Sequence, residues 1–351
     1  MFKKLALGVL ALVLIAAAFT GWRFFTSNTA FEEQSKFLYI RTGHATYPEV
    51  LKTIEDSNLV KNPGSFDMLA KRLDLPERVK PGRYEIKKGM SLVNIVRLLR
   101  NGTQSPVKLV ITKLRTKEDL ASLIGRKLEC DSASVMNYLT QTDSIKKYNA
   151  DTNTIMTVVY PNTYIYFWNT TPAEVFAKLA EERDKIWTPE RVQQAQQHGL
   201  TPQTAYILAS IVEEETLAKD EKGIMASVYL NRVNQHIRLG ADPTVKFALR
   251  NFSLKRVYLK HLTVESPYNT YRNYGLPPGP ICTPSLQTLD AVLQSPQTNY
   301  LYFVAKSDFS GRHVFAETYE EHLKNRKAFQ QAQDEQERIR NAAKEDTGSQ
   351  K

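Results

Sequence analysis

Three consecutive glutamates, Glu213, Glu214 and Glu215, end the segment that opens at Thr201 and Pro202, and only the last lies on the same face as the segment's apolar residues. At 3.6 residues per turn, Leu208, Ile211, Val212 and Glu215 recur at helical spacing on one stripe, while Glu213 and Glu214 rotate to the side and back. A carboxyl on an inward stripe loses its water. Because burial disfavours the charged form, its pKa rises, so it can hold a proton near neutral pH and donate it to a leaving group. The competing reading puts Glu215 at a frayed helix end, solvated or paired with a lysine or arginine.

Four further segments are rich in polar and backbone-shaping residues: Ala241 to Val245, Ser266 to Tyr271, Gly275 to Ile281, and His313 to Phe315. They read as site loops. Pro277 and Pro278, between Gly275 and Gly279, stiffen a loop that can approach a ligand closely. Tyr268, Asn269 and Tyr271 offer rings and an amide of the kind that hold sugars by stacking and hydrogen bonding, with Asp242 and Thr244 next in line. For Asp242, capping of the following helix is an equal alternative. No metal is expected, because His236, His261, His313 and His322 lack ligand spacing, and no cofactor motif is present.

The elements that must position these residues read as an α+β chain. Its 351 residues, 42% hydrophobic, suffice for a sizeable core in two or three structural units. Met1, Phe2, Lys3 and Lys4 precede an apolar run from Leu5 to Trp22, followed by Arg23, Phe24 and Phe25. Residues 1–25 are therefore expected to be a transmembrane anchor with a short cytoplasmic end, which places the rest of the chain on the outer, periplasmic face of the cell membrane. A cleaved signal peptide, with small residues at Ala16, Ala17 and Ala18, is the rival. Cys130 and Cys282 are too few for a disulfide framework. The net charge of +10 is dispersed and carries no nucleic-acid motif, which leaves a phospholipid surface or an acidic wall polymer as the plausible counterpart.

Residues 26–78 read as a mixed segment with no functional signal. In residues 79–130, Arg83 to Ile86 is expected as a strand, Ser91 as an N-cap, Leu92, Ile95, Val96 and Leu99 as a helical face closed by Gly102, and Val107 to Thr112 as a returning strand. Thr116 with Asp119 then imitates a capping box before a second helix through Lys127. This order resembles a LysM-like subdomain, a module that binds N-acetylglucosamine polymers or serves as scaffold. Residues 131–330 form the expected mixed α+β catalytic domain. Met156 to Tyr160 and Tyr164 to Phe167 are read there as strands around a turn, helices start at Pro172, Pro202 and about Asp220, and Leu301 to Ala305 pairs with Arg312 to Phe315 as a hairpin. Helix is expected from about Thr318, and residues 331–351 as a polar, frayed tail.

Taken in order, Ile211 to Thr216, Asp242 to Val245, Tyr268 to Tyr271 and Gly275 to Gly279 resemble the YceG-like (MltG) family of endolytic murein transglycosylases. The resemblance implies that the second glutamate of the family's Glu-x-Glu-Thr motif, here Glu215, is catalytic, and that Glu213, the first, supports the site or the fold. The chain departs from the family at Asn162, where aspartate is more frequent, and in the additional Glu214. The resemblance further implies a peptidoglycan substrate cut between N-acetylmuramic acid and N-acetylglucosamine to leave 1,6-anhydro ends, and wall-synthesis partners such as penicillin-binding synthases. Two alternatives stay open: a membrane-anchored glycan-binding scaffold without catalysis, and a hydrolase with Glu215 as acid and Asp242 or Glu265 as base.

Overall fold

The computed structural model describes residues 7–12, 14–15, 21 and 24–348. The chain is α+β and divides into two compact units. The first gathers 1–109, 123–132 and 164–172, and the second 110–122, 133–163 and 173–351. The expected anchor over 1–25 lies largely outside the described residues. Among those described, Leu7, Val9, Leu10, Leu12, Leu14 and Ile15 are exposed, and no helix is long and apolar enough to cross a membrane.

In the first unit, β1 (Ser35–Ile40), α1 (Tyr47–Asp56), α2 (Pro63–Arg72), β2 (Gly82–Lys87) and α3 (Leu92–Asn101) enclose one core. β1 and β2 pair antiparallel with Leu38 opposite Tyr84, and strand alternation sends Leu38, Ile40, Tyr84 and Ile86 inward. Ser91 caps α3 by accepting from the Asn94 amide at 3.4 Å, and Gly102 ends it in the left-handed region, as the sequence predicts. The module expected over 79–130 does not close on its own strands. β2 has β1 as its partner, whereas β3 (Val107–Ile111) pairs with β4 (Asn162–Tyr166). Strand–helix–helix–strand, residues 35–87, is the arrangement that the β1–β2 pair closes, and a LysM-like subdomain over 79–130 is not shown. Alternation along β2 specifies which face is buried but carries nothing about which strand lies alongside.

Between the β3 and β4 segments run α4 (Lys117–Gly125), α5 (Ser132–Thr140) and the single turn α6 (Thr142–Ile145). Thr116 and Asp119 form the predicted reciprocal cap, each side chain accepting from the other's amide at 3.0 Å. Residues 155–158 form a 3-10 turn instead of the expected strand. Met156 to Tyr160 is buried on all sides, and an apolar run without alternation does not discriminate between strand and other buried backbone.

The second unit is mainly helical: α7 (Pro172–Ile186), α8 (Pro189–Gln197), α9 (Pro202–Glu215), α10 (Lys222–Asn234), α11 (Asp242–Ala248) and α12 (Leu286–Leu293). The antiparallel hairpin β5 (Tyr302–Ala305) and β6 (His313–Ala316) follows, then α13 (Tyr319–Gly348), which runs helical through the tail expected to fray. α9 is the central element, buried from Ala205 to Val212 and packed against α10, α11 and α12. Thr201 and Thr204 cap it reciprocally.

The loop from Gly275 to Thr283 is stitched onto this core. The Ile281 amide donates to Ser210 Oγ of α9 at 3.0 Å, and the Thr283 amide donates to the Leu114 carbonyl at 2.8 Å. A Cβ at Gly279 would fall 2.2 Å from the Asn153 carbonyl oxygen and 2.8 Å from the Tyr268 hydroxyl, so no side chain fits there. Gly279→Ala should therefore lower stability by about 1–3 kcal/mol through forced displacement of backbone. Thermal unfolding of the full chain reads this directly, and an unchanged midpoint would mean that the two backbones do not approach as described.

Candidate active site

The three glutamates that end α9 have three different sets of partners. Glu213 accepts from the Lys222 ammonium at 2.9 Å and from Ser285 Oγ at 3.0 Å, and Thr288 also donates to it. Burial pushes its carboxyl up, but hydrogen bonds from Thr288 and Lys222, with the Lys222 charge, outweigh that and leave it lowered overall. Glu214 pairs with Lys113 and Arg115, each at 3.0 Å. Glu215 has no cation within ion-pairing distance among the described residues. Its partner is the neutral Tyr229 hydroxyl, which donates to Oε1 at 2.5 Å.

This difference decides the protonation of Glu215. Burial raises its pKa first and foremost; the Tyr229 hydrogen bond opposes, the Asp242 charge adds to the rise, and Lys246 and Arg232 act against it. The result is a carboxyl pushed up to about 7. Glu215 nevertheless remains partly exposed, so a ligand can reach it. Burial also holds the Tyr229 phenol far above its ordinary range, so it stays a donor. With Oε1 taken by Tyr229, Oε2 is left to carry a proton toward solvent or substrate. The frayed-end alternative is overturned: α9 stays helical through Glu215, and the carboxyl is neither freely solvated nor ion-paired.

Asp242 is the first residue of α11 rather than its cap, and its Oδ1 accepts from the Tyr271 hydroxyl at 2.6 Å. Tyr271 is half-buried, its ring lies against Gly240, and its phenol is raised by burial and by the hydrogen bond to Asp242. Glu215, Tyr229, Asp242 and Tyr271 therefore form one electrostatic group, since the charges of Glu215 and Asp242 both bear on Tyr271.

The other expected site residues have partners within the protein. Asn269 is fully buried; its amide donates to the Leu262 and Val264 carbonyls at 2.9 and 2.8 Å, and its Oδ1 accepts from the Tyr271 amide at 3.0 Å. Its hydrogen-bonding capacity is spent inside the loop. Thr244 is likewise buried, donating to the Ala241 carbonyl at 2.7 Å and meeting Thr270 Oγ1 at 2.8 Å, which locks the Tyr271 loop to α11. Tyr268 packs against Phe247 with the rings tilted at 42°, centroids 4.7 Å apart, and its hydroxyl lies close to Gly279. Glu213 serves the α9–α10–α12 contact through Lys222 and Thr288, and with Asn162 and Lys113 it lines a cavity of about 460 Å³. His313 is a strand residue of β6 bonded to Glu221 at 3.0 Å, so the last expected site loop is structural. Glu265 is exposed and pairs with Arg272 at 3.5 Å.

Tyr229 and Lys246 bear on the acid and carried no sequence signal. Tyr229 occupies an inward position of α10 where any large apolar residue would read alike, and it meets Glu215 only because α9 and α10 pack together.

A model of the YceG-like family matches residues 38–328. The chain is 28% identical over 295 residues to an endolytic murein transglycosylase of Bacillus subtilis, spanning 80% of this chain and 81% of that protein. It is 25% identical over 347 residues to one of Streptococcus pneumoniae, spanning 89% of this chain and 62% of that one. The crystal structure of a YceG-like protein from Listeria monocytogenes superposes with a TM-score of 0.54 at 26% identity, over 84% of this chain and 99% of that one.

Glu215→Gln tests the buried acid through stability. The folded pKa of about 7 lies above the ordinary 4.5, so the proton stabilises the fold fully below about pH 4.5, and that contribution is lost as pH rises through 7. Relative to the parent, Glu215→Gln should gain stability over this window, up to about 3 kcal/mol and less to the extent that water reaches the carboxyl. Urea unfolding at pH 4.5 and 8 measures the difference; a gap that does not change with pH would place Glu215 in ordinary solvent.

Proposed function

This chain belongs to the YceG-like family, and from that premise we propose that it is a membrane-anchored, endolytic transglycosylase that cuts nascent peptidoglycan strands at the outer face of the cell membrane. It is a lytic transglycosylase, as its curated relatives are named. The observation that carries the chemistry is Glu215: a carboxyl with a pKa near 7, held by a phenol and denied a cation.

In this reading Glu215 donates the proton on Oε2 to the glycosidic oxygen between the N-acetylmuramic acid C1 and N-acetylglucosamine. The C1–O bond breaks through an oxocarbenium-like state. The muramyl C6 hydroxyl then closes on C1, and the carboxylate that Glu215 has become takes the C6 hydroxyl proton. Atoms balance without water, Glu215 ends protonated as it began, and the products are a free N-acetylglucosamine 4-hydroxyl and a 1,6-anhydromuramyl end. A pKa close to ambient pH suits one group that must act first as acid and then as base. The Asp242 carboxyl, oriented by the Tyr271 hydroxyl, lies in the group around Glu215, where a carboxylate favours the cationic state of the sugar. The site needs only to hold the sugar so that its own hydroxyl is the nearest nucleophile.

The apolar run from Leu5 to Trp22 supports tethering, which would bring the enzyme to strands as synthases release them and so limit their length. Penicillin-binding synthases are the partners this placement implies.

Digestion of purified peptidoglycan by the full chain in detergent, with mass spectrometry of the products, tests the reading. The parent should give internal fragments with 1,6-anhydromuramyl ends, and Glu215→Gln should be slower by roughly 100- to 10,000-fold. The parent's kcat/KM should fall as pH rises above about 7, as Glu215 loses its proton. Reducing muramyl ends would instead make water the nucleophile and Asp242 its base, and glycan binding without cleavage would leave a scaffold.

A further inference from the structure

Lys246 is half-buried, yet its ammonium has neither a hydrogen bond nor an ion pair among the described residues. It follows Asp242 by four residues on α11, which puts the two on one face of the helix. With Arg115, Glu214, Phe247 and Phe252 it lines a cavity of about 150 Å³. Glu214 is already neutralised by Arg115 and Lys113 at 3.0 Å each, so it has no need of a third cation. The Arg115 guanidinium lies 5.1 Å from the centroid of the Phe252 ring, and Phe247 and Phe252 form the apolar part of the wall. The cavity therefore has a surplus of positive charge and room for a carboxylate with a few waters. It adjoins the acid, because Glu214 in its wall directly precedes Glu215 on α9 and Lys246 lies one turn from Asp242 on α11.

The polymer invoked above carries anions of one kind close to the bond that is cut. The lactyl arm of each muramyl residue ends in a carboxyl, which is either bare or extended by a peptide stem with its own carboxylates. We propose that Lys246, with Arg115, is a carboxylate-binding subsite that holds the lactyl or stem carboxylate of a muramyl residue beside the bond addressed by Glu215. The inference rests on the transglycosylase reading. The subsite would let the enzyme gauge the substituent on the sugar, a specificity that the carboxyl chemistry at Glu215 does not itself supply. A charge-assisted contact of this kind, partly shielded from water, corresponds to about a tenfold change in affinity.

The test is a cycle between protein and substrate, using the full chain in detergent. The substrates are peptidoglycan with intact stems, the same polymer stripped of stems by an amidase, and each of these with its carboxylates converted to methylamides. Capping should raise the parent's KM about tenfold and change that of Lys246→Met little, because the variant has no ammonium to lose. Lys246→Arg should regain most of the sensitivity. An effect of capping on intact polymer alone identifies the stem carboxylate, and one on stripped polymer identifies the lactyl carboxylate. Equal sensitivity of parent and Lys246→Met to capping, or insensitivity of both, overturns the subsite. Calorimetric binding of the same glycans to Glu215→Gln separates the two readings. Carboxylate-dependent binding that needs Lys246, with no cleavage by the parent, removes the catalytic reading alone; binding indifferent to Lys246 removes the subsite even where cleavage occurs.

Discussion

Three adjacent carboxylates at the C-terminal end of one helix are electrostatically adverse, since they repel one another and face the negative end of the helix dipole. The second unit is arranged around resolving that conflict unevenly. Lys222 neutralises Glu213 and draws α10 and α12 onto α9. Lys113 and Arg115, from the segment after β3, neutralise Glu214. Glu215 receives no cation and relieves its share by retaining a proton, with the Tyr229 phenol satisfying one oxygen. The neutralised neighbours are as necessary as the acid. Without Lys222 or the Lys113 and Arg115 pair, a full negative charge beside Glu215 would push its pKa higher still and impair its return as a base.

The loops around this helix end are set by hydrogen bonds that never meet solvent. Thr244 and Thr270 lock α11 to the segment bearing Tyr271, Asn269 closes that segment on itself, and Ser210 fixes the far loop to α9. These contacts give Asp242 a defined orientation, because Tyr271 is held at both its backbone and its hydroxyl. A constellation supported in this way has little freedom to lose when substrate binds.

What the sequence disclosed follows from where each signal resides. Helical periodicity is local, so it carries the helix through Glu215, together with the caps at Ser91, Thr116 and Thr201. Strand pairing is not local, so the partnership of β2 with β1 has no counterpart in the sequence pattern. Asn269 and Thr244 read as candidate ligand contacts in the sequence because polar residues in a loop look alike whether their bonds go to a ligand or to the chain. Only the closed list of partners separates the two, and that list is three-dimensional. Tyr229 was invisible for the converse reason, since a tyrosine on a buried face resembles core until its hydroxyl is seen to touch a carboxyl.

The shared proton of Glu215 also bears on how the enzyme would be inhibited. A neutral sugar analogue meets the protonated form that predominates below about pH 7, and its affinity should vary little as the medium is acidified. A cationic ring that imitates the oxocarbenium state instead prefers the carboxylate, so its capture would expel a proton and tighten with alkalinity until Glu215 is fully ionised. Proton release on binding would thus distinguish mimics of the transition state from mimics of the ground state.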